Sequence, residues 1–218
     1  MIISIVINFL AIILAIVCHE LAHGYVAYKC GDHTAKQYGR LSLNPIKHIA
    51  PIGSIIIPAM LILAKAGFVF GWAKPVPVNY NNLHHPKRDI ILVSSAGIIC
   101  NLALALVSAL LLKLTPFISN QLCYAICALF LTNMIIFNVI LAVFNSLPFP
   151  PLDGSKILFG WSSNTRIQKF LSHEKEGTMF ILLFLFILPM LARYFGYDFN
   201  PLGSFLIKTS KAIINWFV

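Results

Sequence analysis

Long apolar runs separated by shorter polar connections set the pattern of this chain. Residues 2–28 form the first run and end at Lys29; residues 50–70 form a second, broken by Pro51, Gly53, Pro58 and Lys65. Residues 90–112 and 121–147 are clean runs joined by the link KLTPFISN, and residues 178–195 form a fifth run containing Pro189. Apolar stretches of about 20 residues predict helices that cross a bilayer. The interrupted second run predicts a re-entrant or shallow element, tolerated where protein or water satisfies its backbone. In the tail, residues 203–218, Lys208 and Lys211 interleave with Phe205, Ile213, Ile214, Trp216 and Phe217, which suits an interfacial amphipathic helix. The expectation is an all-α membrane protein, a polytopic helical bundle with a re-entrant or short extended element between the first and third apolar runs. It forms one domain over residues 1–218, with a core of about 1–158, an additional span at 178–195 and the tail.

Composition agrees. Of the 218 residues, 59% are hydrophobic and only 11% charged, against roughly 45–50% and about 25% in soluble domains. The formal net charge of +9 does not point to nucleic acid, because the basic residues lie in loops with no basic patch interleaved with aromatics. They read as topology-setting charges facing the cytoplasm and anionic headgroups. The five cysteines are odd in number and mostly sit in apolar runs, as small buried hydrophobes rather than a disulfide framework. The N-terminus is apolar from Ile2 with no basic leader and no cleavage site, so it reads as a retained first span.

That first span carries unexpected chemistry. His19-Glu20-Leu21-Ala22-His23 is an H-E-x-x-H motif. On a helix its two histidines project from one face within reach of a single ion. Imidazole suits zinc, and two such ligands leave room for a third protein ligand and a water. Glu20 lies beside them, placed to take a proton from an attacking water and pass it to a leaving amine. Ionisable groups inside a span are costly and functional by default. His19 lies ten residues before Lys29, roughly 15 Å along a helix, which puts the motif in the hydrocarbon zone if Lys29 marks the headgroups. A third ligand candidate lies far downstream in NSLPFPPLDGSKIL, residues 145–158. There Pro148, Pro150 and Pro151 break the helix, and Gly154 permits a tight backbone approach beside Asp153.

With these motifs in view, the chain resembles the site-2 protease family of intramembrane zinc metalloproteases, in its compact bacterial branch without a PDZ domain. The resemblance rests on H-E-x-x-H at 19–23 and N-x-x-P-x-P-x-L-D-G at 145–154, reinforced by FGWAKPVPVN at 70–79 and GRLSLNP at 39–45. It implies that His19, His23 and Asp153 hold one zinc ion and that Glu20 is the general base. Asn145, which heads the second motif, would steady the loop or the bound substrate. The stretch SSAGIICN at 94–101 looks like the family's A-G-P-x-x-N element, with Ile98 where proline is usual; Asn101 is its candidate polar support. The implied substrates are single-pass membrane proteins already shortened by another protease, such as anti-sigma factors or signal-peptide remnants. The extended-looking stretch 74–80 either pairs with an unwound substrate strand or is an ordinary proline-rich loop.

Topology constrains the picture. One ion must touch both motifs, so both lie on one side, and 50–70 makes no net crossing if 90–112 and 121–147 cross out and back. The motif side then holds Lys29, Lys36, Arg40, Lys47, Lys65, Lys74, Lys87, Arg88, Lys156, Arg166, Lys169 and Lys175, twelve of the 16 basic residues. This bias places the site toward the cytoplasm, and the family resemblance implies a bacterial inner membrane. Two other functions compete: a zinc protease acting on soluble peptides, and a metal-ion carrier or inactive zinc-holding scaffold. A carrier needs a polar path across several spans, for which only Asn101, Asn133, Asn138 and Asn145 are available. The remaining histidines, His33, His48, His84, His85 and His173, read as solvated loop residues, and HHPKRD as a headgroup-facing anchor.

Overall fold

The structure is a computed structural model and describes residues 2–63 and 71–217. Ten α-helices follow in order among the described residues: α1 (Ile2–Lys29), α2 (Thr34–Gln37), α3 (Ile57–Leu63), α4 (Pro86–Leu112), α5 (Gln121–Asn145), α6 (Asp153–Phe159), α7 (Thr165–Ser172), α8 (Glu174–Leu182), α9 (Leu188–Tyr194) and α10 (Pro201–Phe217). No strand occurs among the described residues. Four helical stretches among the described residues are long and apolar enough to cross a membrane: Ile2–Lys29, Pro86–Phe117, Gln121–Asn145 and Glu174–Tyr194. The last joins α8 to α9 through a wider helical turn, Leu183–Ile187, just before Pro189, whose missing N–H interrupts regular bonding. The protein is therefore an all-α, multi-pass membrane bundle.

Local chemistry explains where the helices begin and end. The apolar run of α1 stops at Lys29, and Gly31 turns the chain with φ +107, a conformation open to glycine. Pro86 opens α4 at its first turn, where its missing N–H costs nothing. The side chain of Asn120 caps α5 by accepting the Cys123 N–H at 3.0 Å. Asp89, fully buried, accepts the His85 N–H at 2.8 Å and pairs with Arg88. It thus closes the start of α4 rather than facing headgroups.

The packing is that of a membrane protein. Ile2, Phe9, Ile99, Leu110 and Leu122 are exposed, surface that suits lipid and not water. Asn101 and Asn138 are fully buried. Small residues line the inner faces, including Ala11, Ala15 and Ala27 of α1 and Ala105 and Ala109 of α4, and let helices approach closely. The main core joins Ala105 and Ala109 to Ile135, Val139 and Val143 of α5, with Ile181 of α8 and Leu206 of α10 packed against them. The tail helix thus docks on the bundle through one apolar side.

Register fixes the topology. The Asn101 amide reaches Ala15 O and His23 Nδ1 reaches Val93 O, so α4 runs antiparallel to α1. Asn133 of α5 bonds Asn8 of α1, while Asp153, just past α5, meets His19 and His23. Hence α1 and α5 run the same way, and the chain leaves α1 and enters α4 at one end of the bundle. Between them lies an excursion that returns to its origin. Trp72 N–H bonds Gly53 O at 3.1 Å, Ser54 Oγ donates to Trp72 O at 2.8 Å, and Lys74 N–H bonds His48 O at 2.8 Å. The outgoing part holds a wide helical turn, Pro51–Ile56, and the seven-residue α3, which spans only about 10 Å. The described ends of this stretch lie side by side, as a re-entrant element between the first and third runs requires; residues 64–70, Lys65 among them, lie outside the described residues.

Candidate metal and active site

On α1, His19 and His23 lie one turn apart and both are buried. Their rings meet edge to face with centroids 4.6 Å apart. His19 Nδ1 lies 2.5 Å from Asn101 Oδ1 and His23 Nδ1 lies 2.7 Å from Val93 O. A carbonyl oxygen can only accept, so each Nδ1 carries the proton and each Nε2 presents a bare lone pair. The Asn101 orientation is itself fixed. Its amide nitrogen donates to Asn138 Oδ1 at 2.7 Å, and Asn138 in turn donates to Met134 O at 2.8 Å. A buried chain of amides thus runs from α5 through α4 to the α1 imidazole.

Both bare nitrogens point at one place. His19 Nε2 and His23 Nε2 are 3.0 Å apart, and each lies 3.2 Å from Asp153 Oδ2. Asp153 stands at the first position of α6, behind the proline-rich turn, where a Cβ on Gly154 would lie 2.2 Å from Ser146 O. Asp153 Oδ2 is buried with no hydrogen-bond donor. Three electron-rich atoms held this close repel one another unless a cation sits among them. A tetrahedral zinc with bonds of about 2.0–2.1 Å separates its ligand atoms by about 3.3–3.4 Å, close to what is seen. Among the described residues this is the one cluster of histidine, cysteine or carboxylate groups that could hold a metal ion. The donor set fits zinc and leaves a fourth position for water or substrate.

Helix α4 can approach so closely because of Gly97. A Cβ there would lie 2.5 Å from His19 Cε1 and 2.5 Å from His23 Nε2. Gly97 and the backbone carbonyl of Val93 build the site without being named for it by the sequence, and Asn138, which the sequence offers only as a polar group within a span, supports it through Asn101. A carbonyl leaves no signature in sequence, and Gly97 was legible only as part of a motif. Asn101 sits where a polar support was expected. Asn145 does not reach the cluster by any described bond; its amide donates to Leu141 O of its own helix at 3.0 Å.

Glu20, half-buried, occupies the same turn of α1 as His19 and His23. Its Oε2 accepts the Val76 N–H at 2.8 Å, so the non-helical strip 71–79 lies against the motif. Asp32 pins the far end of that strip: it is fully buried and accepts Asn79 N–H at 2.7 Å, Asn82 Nδ2 at 3.1 Å and the Thr34 hydroxyl at 2.5 Å. Burial alone would raise the Asp32 carboxyl, but these hydrogen bonds outweigh it and hold it below the usual range. Lys156 sits over the Tyr80 ring and 3.7 Å from Glu174. Burial opposes its charge, but Tyr80, Glu174 and Asp153 prevail and push its ammonium up. His48 departs from the expectation of a solvated loop residue. It is buried, with Nε2 donating to Ser42 O at 2.8 Å, because it anchors the neck of the re-entrant excursion.

These features define a multi-pass membrane protein with a His-His-Asp metal cluster inside its helical bundle. Comparison with known proteins then gives the family. The sequence model of peptidase family M50 matches residues 117–190. The chain is 40% identical to "Putative zinc metalloprotease YwhC" of Bacillus subtilis, over 83% of this chain and 80% of that protein. It is 32% identical to "Putative zinc metalloprotease Rip2" of Mycolicibacterium smegmatis, over 90% of this chain and 74% of that protein. The Rip2 protein of Mycobacterium tuberculosis is 32% identical over 81% of this chain and 65% of its own length. No solved structure matches significantly. The chain belongs to peptidase family M50, the site-2 protease family of zinc metalloproteases.

Proposed function

We propose that this protein is an intramembrane zinc endopeptidase that hydrolyses peptide bonds within or near membrane-spanning segments of other proteins. The observation that carries this reading is the convergence of two bare imidazole nitrogens and a buried carboxylate oxygen that no donor satisfies, within 3.2 Å of one another, inside the helical bundle. His19, His23 and Asp153 hold one zinc ion. When bound, zinc supplies a Lewis acid that activates water and polarises the peptide carbonyl. Glu20 takes the proton of the attacking water as its oxygen bonds to the carbonyl carbon. The C–N bond then breaks and Glu20 passes that proton to the departing nitrogen, leaving a carboxylic acid, which keeps the water's second proton, and an amine.

A substrate helix hides its carbonyls in its own i to i−4 bonds, so it unwinds locally before attack. Val76 O and Val78 N–H of the strip take no partner among the described residues and are the groups offered to such an unwound strand. Substrates of this kind are single-pass membrane proteins such as anti-sigma factors or signal-peptide remnants, cleaved in regulated proteolysis. The crowding of basic residues at the motif end supports a site that faces the cytoplasm, in what this reading takes to be a bacterial inner membrane.

The amide contacts favour hydrolysis over ion carriage. Asn101 and Asn138 are committed to orienting His19, Asn133 pairs with Asn8, and Asn145 bonds its own helix. The test is reconstitution in proteoliposomes with single-pass substrates, with products mapped by mass spectrometry. Wild type cuts within or beside the span and Glu20→Gln does not. Equal cleavage by Glu20→Gln, or zinc uptake into vesicles that requires Glu20, overturns the reading.

A further inference from the structure

The Pro75–Val76 peptide group stands between two opposite charges. Its N–H donates to Glu20 Oε2 at 2.8 Å, and its carbonyl accepts from Arg40 Nη2 at 3.2 Å. The same Nη2 donates to Lys74 O at 2.8 Å. We infer that Arg40 is a positioning residue for Glu20, acting through this single peptide group to hold the carboxylate beside the metal cluster. The inference rests on the reading of Glu20 as the catalytic base.

Three observations carry it. First, Arg40 is 8% exposed, forms no ion pair among the described residues, and keeps a buried Nε with no partner. A buried guanidinium facing only neutral carbonyls is costly, and the nearest route to compensation here runs through the peptide to Glu20. A peptide group is one delocalised unit, so a cation drawing on its oxygen strengthens the N–H as donor to the carboxylate. Second, Pro75 and Pro77 have no N–H, so Val76 supplies the sole backbone donor of residues 75–77. Third, the strip is seated tightly on α1. A Cβ at Gly24, one turn beyond Glu20, would lie 2.7 Å from Val76 Cγ1 and 2.8 Å from Leu41 Cδ2. Lys74 and Asn79 fasten the strip on either side through His48 O and Asp32. Glu20 Oε2 is thereby held in place while Oε1 accepts no bond among the described residues.

The test uses the full chain in proteoliposomes with a single-pass substrate, together with zinc stoichiometry and amide exchange at Val76. Exchange is read by selective ¹⁵N-valine labelling and needs no turnover. In Arg40→Gln, kcat falls on the order of 10- to 100-fold, KM and zinc content stay at wild-type values, and Val76 exchanges at least tenfold faster. Arg40→Lys, which restores a charged donor, recovers part of kcat. Val76→Pro deletes the donor without touching a charge and reproduces the loss of kcat with zinc retained; it carries the test if Arg40→Gln does not fold. Wild-type kcat and slow Val76 exchange in Arg40→Gln overturn the inference, as does parallel loss of zinc and activity in Arg40→Lys. Cleavage that survives Glu20→Gln instead overturns the role of Glu20, while the exchange readout still reports on Arg40.

Discussion

Gly97→Ala places one methyl group between α4 and the two histidines. Its carbon would lie 2.5 Å from His19 Cε1 and His23 Nε2 and 2.7 Å from His19 Nδ1. Carbon contacts settle near 3.5–4.0 Å, so the rings must retreat by about 1 Å or the helices must part by as much. Metal sites tolerate errors of only about 0.2 Å in ligand position. Neither ring has a free direction of escape, because His19 is held by Asn101 and His23 by Val93 O. Zinc affinity therefore falls at least on the order of 10- to 100-fold, about 1.4–2.8 kcal/mol. Overpacking the α1–α4 contact costs a further 1–3 kcal/mol or so of stability. Competition with a chromophoric chelator in detergent micelles measures the first quantity, and a metal-free thermal melt the second. A variant that binds zinc as tightly as wild type, with an unchanged melt, refutes the claim that α4 backs the metal cluster at Gly97.

Other substitutions probe the remaining supports. Asn101→Leu leaves His19 Nδ1 and Asn138 Oδ1 without their partner and weakens zinc binding on the order of 10- to 100-fold by the same titration; unchanged affinity removes the amide chain from the account. Gly154→Ala drives a Cβ to 2.2 Å from Ser146 O and displaces Asp153, so purified protein carries little zinc by elemental analysis. For Asp32 the folded carboxyl titrates below its unfolded value near 3.9. Its contribution is thus fully present above that value and is lost as pH falls through the folded one. Melting temperatures measured downward from pH 5 drop more steeply in wild type than in Asp32→Asn, whereas parallel curves contradict the strap assigned to Asp32.

Much of this architecture is legible in the chain because lipid makes polar groups conspicuous. His19, Glu20 and His23 stand out within an apolar run, and the prolines around Asp153 announce a bent approach. The breakers in 50–70 foretell an excursion that returns, seen as the Trp72–Gly53 and Lys74–His48 bonds. What escapes the sequence is whatever acts through backbone or through absence. Val93 contributes a carbonyl, Val76 an N–H, and Gly97 the lack of a side chain. Asn101 and Asn138 were visible as polar residues, but their order in one chain depends on the α1–α4–α5 register. His48 looks like a loop residue until its neck position buries it.

The central claim is the identity of the metal ligands, and X-ray absorption at the zinc edge tests it most directly. The account predicts two imidazole nitrogens and a carboxylate oxygen at about 2.0–2.2 Å, with the oxygen contribution reduced in Asp153→Ala. A sulfur shell near 2.3 Å, as from Cys18 beside His19, or a spectrum unchanged in Asp153→Ala, contradicts it.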